Sequence, residues 1–381
     1  MICAKALFVC EGECMTVPAD QSRLIKRLRI ALVLVAMLVG VAVIAVIGVL
    51  FYWNSYLLGS RGDDPFTRGP YVVGLTSTGA EVRFLGPDPA KVTLKALAPD
   101  GTSVVAKAGK FAGLEPDQRY LWTATIDGMG QASGSFLTAP TDPQATVTFG
   151  VIADYGSGNE HEYAIGRGLA AIDPSFVATA GDNSYLLALP AVFDRNIFTP
   201  LQDVMAEAPL MAVLGDHDTF IASGGEALAD ALALPGGALH YTYEYGPVQM
   251  IALGVDGDAK AIAYAKAQLA KPWPGPRFAV MHTPLQPGDP LADVLRGNVD
   301  AVFSGHLHRY ERRTVDGVLQ IVAGTGGQGP GNVEFTKASS DAVFTTMDYG
   351  FVRVIAGPTG STIQMIDEAG ALRDSVTVPP R

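Results

Sequence analysis

The sequence predicts three parts: one membrane-spanning helix, a small all-β sandwich, and a larger domain of mixed α/β type. Three observations predict it. An uncharged apolar run of more than 20 residues lies near the N-terminus. From about 67 to 139, short alternating runs are separated by turn residues at roughly even spacing. After 140, five continuous apolar runs each stop at a polar or glycine-rich motif, the texture of strands covered on both faces by helices.

Composition sets bounds on all three parts. The chain has 381 residues, 48% of them apolar and 17% charged, so two globular domains with large cores are expected. The net charge of −11 argues against a nucleic-acid scaffold as partner, because such binders present a basic patch. Cys3, Cys10 and Cys14 are the three cysteines. The main body therefore has neither a disulfide framework nor a thiolate zinc site.

Residues 1–29 form a basic segment with Arg23, Lys26, Arg27 and Arg29 before the apolar run. Residues 30–53 suffice to cross about 30 Å of hydrocarbon, and Phe51, Tyr52 and Trp53 mark the far interface. The positive-inside rule places residues 1–29 in the cytoplasm and everything after 53 outside the cytoplasmic membrane. A cleaved signal peptide is the competing reading. Its apolar region would normally span only 7–15 residues, so an uncleaved single-pass anchor is expected. Met15 is an alternative start that removes all three cysteines and changes nothing else. Residues 54–66, polar with Gly, Asp and Pro, read as a tether.

Residues 67–139 contain the runs PYVVGLTSTG, AEVRFLG, KVTLKAL, TSVVAKA, RYLWTATIDG and QASGSFLTA, a pattern that fits a small β-sandwich. Within them, LEPDQRY places Leu114, Pro116 and Tyr120 in an L-x-P-x-x-x-Y arrangement. This resembles the tyrosine corner of fibronectin type III domains. Nothing in this segment clusters ionisable groups, so its expected role is spacer or packing partner.

Residues 140–381 carry the chemistry. VTFGVIA stops at DYG, SFVATA at GDNSY, PLMAVL at GDHD, RFAVM at HTP, and VDAVFS at GHLH. Helical stretches such as EYAIGRGLAAI and AKAIAYAKAQLA fall between them. Ligand groups gather at the carboxyl ends of strands in open α/β sheets, so the five motifs are expected to converge. Residues i and i+2 of an extended segment face one side, which would let His306 and His308 share a site. The collected groups are Asp154, Asp182, Tyr185, Asp216, His217, His282, His306 and His308, with four of the six histidines among them. Carboxylate and imidazole without thiolate suit iron, zinc or manganese. There are too many groups for one ion, and two ions bridged by a shared carboxylate would use them all, as in sites for phosphoryl transfer. Singly, each motif reads as a cap or a turn. Five in order at strand ends do not.

The ordered set DYG, GDNSY, GDHD, MHTP and GHLHRYER resembles the calcineurin-like metallophosphoesterase superfamily, and more narrowly the purple acid phosphatases. Most of the superfamily begins with D-x-H. Here Asp154-Tyr155-Gly156 lacks that histidine and Tyr185 in G-D-x-x-Y stands in, as in purple acid phosphatases. The resemblance implies a metallophosphoesterase sandwich of mixed β-sheets flanked by helices. It also implies that Asp154, Tyr185 and His308 hold a first metal, Fe(III). Asp216, His282 and His306 would hold a second, divalent ion (Fe, Zn or Mn), with Asp182 bridging. His217 would stabilise phosphoryl oxygens or protonate the leaving group. The implied activity is hydrolysis of phosphate monoesters by attack of a metal-bound hydroxide. Two departures stand out. Gly215-Asp216-His217-Asp218 has Asp where the family has Asn, and QPGDPL after MHTP lacks the histidines of plant-type members.

Two other functions compete with this one. A phosphodiesterase or nucleotidase would keep the same metals, since the motifs do not define the outer pocket. A degenerate surface module would only bind a partner, but all seven ligand positions keep a side chain able to bind metal. The G-D-x-V-D-R-G of protein Ser/Thr phosphatases is absent, with GDNSYLL in its place. Outside the set, His161 reads as a surface capping residue and His240 as a strand residue. Asp316-Gly317 reads as a hairpin turn, and residues 361–378 as a closing β-hairpin.

Overall fold

The computed structural model describes residues 19–58, 65–127, 131–185, 188–220, 222–237, 239–329 and 337–381. The chain divides into two compact units, Met1–Ser60 and Arg61–Arg381. The first holds helix α1 (Ala19–Leu58). No proline interrupts that span, and Ile30–Val49 is long and apolar enough to cross a membrane, with its side chains exposed. The helix runs past residue 53 into the stretch read as a tether. Cys3, Cys10, Cys14 and Met15 lie outside the described residues.

The second unit opens with seven strands. They are β1 (Arg68–Val73), β2 (Gly79–Leu85), β3 (Val92–Leu97), β4 (Ser103–Val105), β5 (Lys110–Ala112), β6 (Arg119–Ile126) and β7 (Gln131–Leu137). They form two antiparallel sheets, β1-β2-β5 and β4-β3-β6-β7. Alternation does what the sequence predicts: every second residue of β6, from Tyr120 to Ile126, is buried. The Tyr120 hydroxyl accepts a hydrogen bond from the Glu115 amide at 2.9 Å, and its ring stacks on Phe136. Strand β5 was not among the six runs. Only its central Phe111 faces inward, too little to show a period.

The remaining strands are β8 (Val147–Ile152), β9 (Val177–Ala180), β10 (Leu210–Val213), β11 (Tyr241–Tyr245), β12 (Val248–Ala252), β13 (Arg277–Val280) and β14 (Ala301–Ser304). After them come β15 (Tyr310–Val315), β16 (Val318–Ala323), β17 (Phe344–Thr346), β18 (Gly350–Gly357), β19 (Gly360–Asp367) and β20 (Leu372–Val378). The helices between are α2 (Glu160–Ala171), α3 (Gln202–Met205), α4 (Asp216–Thr219), α5 (Ala222–Ala231), α6 (Ala259–Leu269) and α7 (Pro290–Leu295). The strands make two mixed sheets, β10-β9-β8-β18-β19-β20 and β11-β12-β13-β14-β16-β15-β17. The five motif-bearing strands are thus split between two sheets, rather than lining one open sheet.

Aromatic rings fill the space between these sheets. Phe149 of β8 stacks on Phe176 and meets Phe278 of β13 and Phe303 of β14 edge-on. On the outer face of the second sheet, Ile251, Ala279 and Val302 pack with Ala261 and Ala265 of α6 and Leu291 and Leu295 of α7. Strands buried on both faces explain the unbroken apolar runs. Away from this core, Asp374 of β20 accepts from Arg312 through both oxygens and from the Tyr310 hydroxyl, tying one sheet to the other. Asp316 and Gly317 both take positive φ, 46° and 83°, the conformation a two-residue hairpin turn needs. β19 and β20 form the closing hairpin.

Candidate metal centre

The site lies where the carboxyl ends of β8, β9, β10, β13 and β14 meet. Asp154, Asp182 and His306 follow their strands with positive φ of 55°, 51° and 68°, a region that non-glycine residues enter at a cost. The chain therefore leaves each strand in a sharp bend that turns the side chain inward. His306 is consequently not part of an extended segment, and the two histidines of GHLH reach different halves of the site.

In one half, the Tyr185 hydroxyl donates to Asp154 Oδ1 at 3.2 Å and lies 3.1 Å from His308 Nε2. His308 Nε2 is 3.7 Å from Asp154 Oδ1. In the other half, His282 Nε2 is 2.9 Å from Asp216 Oδ1, and His306 Nδ1 is 3.3 Å from the same oxygen. Asp182 Oδ1 is 3.4 Å from His282 Nε2. Potential donor atoms of Asp154, Asp182 and His282 lie within 4.8 Å of one another, as do those of Asp216, His282 and His306. The two groupings overlap at His282, and Asp182 stands next to both halves.

Second contacts aim these atoms. His282 Nδ1 is 2.9 Å from the Ala180 carbonyl and His308 Nδ1 is 2.7 Å from that of Gly329. Each contact leaves Nε2 facing the site, the arrangement that orients metal-binding histidines. The amide of His217 donates to Asp182 Oδ1 and that of His306 to Asp154 Oδ1. The imidazole of His217 is exposed and its ring centroid is 4.7 Å from that of Tyr185.

Electrostatics shows what this cluster lacks. Burial, reinforced by the charge of Asp182, pushes Asp154 up to about 7 against the pull of His282. Burial and the charges of Asp154 and Asp182 push the Tyr185 phenol well above its ordinary value. Burial opposes the charged form of His282, yet its bond to Asp216 and the charges of Asp182 and Asp154 raise it to about 10. Bonds from His282 and His306 hold Asp216 far below the usual carboxylate range. His306 is raised chiefly by its bond to Asp216, whereas burial lowers His308.

The donor set fits a pair of cations. Asp154 Oδ2 is buried without a hydrogen-bond partner, and a buried unpaired carboxylate oxygen is costly. A side chain at Gly305 would put its Cβ 2.6 Å from that oxygen, and one at Gly215 would lie 2.1 Å from Asp182 Oδ1. Both glycines keep the space beside the carboxylates clear.

Two residues outside the expected set hold the ligand loops. Asp218 is fully buried and accepts from the amides of Asn183, Ser184 and Gly215 and from Asn183 Nδ2. It joins the loop after β10 to the loop after β9. Glu162 accepts from the amides of Ser157 and Gly158, fixing the loop after Asp154. In sequence Asp218 reads as a turn former and Glu162 as a first-turn helix residue, and only the loop contacts reveal them. Asn159 rather than His161 caps α2. His161 instead pairs with Glu368 at 2.8 Å and stacks on Tyr349. His240 precedes β11 by one residue, and its Nδ1 is buried without a partner.

No family model matches the chain. Purple acid phosphatase 23 of Arabidopsis thaliana is 24% identical over 56% of this chain and 61% of its own length, so the match spans less than two thirds of that relative. The solved purple acid phosphatase PPD1 from yellow lupin (Lupinus luteus) superposes with a TM-score of 0.66 at 15% identity, covering 82% of this chain and 74% of that one. The structure of PhoD gives 0.57 at 13% identity, covering 84% and 90%. The chain thus shares the fold of these two solved proteins and is similar in sequence to a purple acid phosphatase.

Proposed function

We propose that the protein is a membrane-anchored, exported phosphatase that hydrolyses phosphate monoesters at a dinuclear metal centre. The observation that carries this reading is the pair of overlapping donor groupings at the ends of two sheets, one of which includes Asp154 with its buried, unpartnered Oδ2. Asp154, Tyr185 and His308 would hold a first ion, Fe(III). Asp216, His282 and His306 would hold a second, divalent one, and Asp182 would bridge. When bound, such ions supply Lewis acidity and lower the pKa of a coordinated water.

The chain's own residues do the rest. Asp182 is held in place by the His217 amide. The His217 imidazole, exposed over Tyr185, would donate its proton to the leaving-group oxygen. Export and anchoring draw support from α1 and the basic residues before its apolar span. A fibronectin III-like domain over 67–139 draws support from the two small sheets and the Tyr120–Glu115 bond, with residues 140–381 as the catalytic domain.

Full-length protein in detergent, assayed with p-nitrophenyl phosphate and its bis ester and analysed for metal, tests the reading. Two metal equivalents and preference for the monoester are expected. Preference for the bis ester would replace the monoesterase by a phosphodiesterase, and metal-dependent hydrolysis of neither would remove the enzyme. If the first ion is Fe(III) on a Tyr185 phenolate, the protein absorbs broadly in the visible and Tyr185→Phe bleaches it. Active, colourless protein holding two zinc or manganese ions would defeat the iron assignment alone.

A further inference from the structure

Helix α4 is one short turn at the rim of the metal centre, and Asp216, His217, Thr219 and the following Phe220 are all exposed on it. Phe220 keeps helical backbone angles, φ −58° and ψ −35°. Its side chain therefore shares a face with Asp216, four residues back, and His217, three back, at Cβ separations of about 5–6 Å. Phe220 is 75% exposed. Among the described residues of the globular unit, every other Phe, Tyr and Trp is buried or half-buried. This exposed phenyl ring thus stands within a turn of both a proposed metal ligand and the proposed leaving-group acid.

A ring this exposed contributes little burial to the fold, and truncating a surface side chain usually changes stability little. Beside a site that holds a phosphoryl group, it would meet the alcohol half of the ester. We infer that Phe220 selects substrates whose leaving group carries an aromatic ring, by stacking on that ring as His217 protonates the ester oxygen. This inference rests on the monoesterase reading. Stacking of this kind is worth about three- to tenfold in affinity.

The test uses full-length, metal-loaded protein and two pairs of probes. KM is measured for 2-naphthyl phosphate and for glycerol 2-phosphate. Binding of phenylphosphonate and methylphosphonate, which are not hydrolysed, is measured by calorimetry. Phe220→Ala should raise the ratio of the naphthyl KM to the glycerol KM about three- to tenfold. It should remove the preference for phenylphosphonate over methylphosphonate by a similar factor, and Phe220→Tyr should restore both. An equal loss with both esters would make Phe220 a support for α4, and no change in either ratio would overturn the inference. Failure of the wild type to hydrolyse any monoester would sink the phosphatase reading, and the phosphonate pair would still decide whether Phe220 selects rings.

Discussion

The state of Asp154 sets the pH behaviour of the metal-free protein. Its folded value, about 7, lies above the unfolded value of roughly 4, so the folded chain holds the extra proton between them. Stability is therefore highest on the acid side of this window and falls as pH rises from about 4 to about 7. His282 acts in the same direction higher up: raised to about 10, it contributes stability that is lost as pH climbs through that value. Asp216, depressed, acts oppositely, and its contribution disappears as pH falls below the usual carboxylate range. The metal-free protein is thus expected to lose stability from pH 4 to 8 in urea titrations, whereas metal-loaded protein is not. Metal affinity should rise over the same range because Asp154 and His282 must release protons. A flat metal-free profile would contradict the burial argument.

At the same scale, Asp216 stands where the resembling family has Asn. Its oxygen faces His282 and His306 rather than turning outward to cap a loop, so its charge belongs to the site. As a fourth anionic ligand of the proposed centre, it would leave the ion pair less positive and a phosphate dianion less attracted. Asp216→Asn is expected to lower KM for a monoester, to loosen the divalent ion, and, without metal, to bring His282 back toward its ordinary value by NMR. Unchanged metal content and an unmoved His282 would sink the charge argument. These residues were legible in the sequence because few other roles place carboxylates and imidazoles at the ends of five apolar strands, here β8, β9, β10, β13 and β14. The half of the site each would occupy came from the family resemblance and not from chain geometry. The i, i+2 rule for His306 and His308 assumes an extended chain, and His306 has φ of 68°.

Among the elements, the loops after β9 and β10 act together through Asp218. Three backbone amides and one side-chain amide converge on its carboxylate, and burial still pushes it up to about 6. Asp218→Asn keeps the shape but cannot satisfy both sides. With its carbonyl toward Gly215 and Asn183, its NH2 faces the amide of Ser184, donor against donor. A loss of about 1–3 kcal/mol is expected, together with reduced retention of both metals, since Asp182 and Asp216 lie on the joined loops. Wild-type stability with full metal content would show that the loops hold without this contact. Sequence could not show this link because contacts between loops about 35 residues apart leave no local period. The strands before the motifs were visible as unbroken apolar runs and most of those in the small sheets by alternation, whereas β12, β16 and β18 were not singled out and β5 offers three residues and one inward side chain.

For the whole globular unit, the small sandwich is a structural partner of the α/β part and shares one continuous core with it. The sequence allowed spacer or packing partner, and the contacts decide for packing. Trp122, almost fully buried, donates to the Ala206 carbonyl at 2.9 Å. Gly134 lies so close that a Cβ there would sit 2.3 Å from the same oxygen. The Tyr71 ring packs 4.8 Å from that of Phe198 and its hydroxyl donates to the Ala231 carbonyl. From the other side, Tyr243 and Tyr245 donate to the carbonyls of Leu75 and Leu137. Separation would expose these rings, each carrying about 150–250 Å² of surface, and strand their hydroxyl partners. At about 25 cal/mol per Å², even partial exposure of Phe198, Tyr243 and Tyr245 costs several kcal/mol, comparable with the whole stability of a domain. Full-length protein is therefore expected to unfold the globular unit in one cooperative transition in urea, followed by both tryptophan fluorescence and far-UV circular dichroism. A chain of residues 140–381 alone should aggregate or melt far below it. If that shorter chain is monomeric, binds two metals and melts at the same temperature, the sandwich is a spacer and the shared core contributes little.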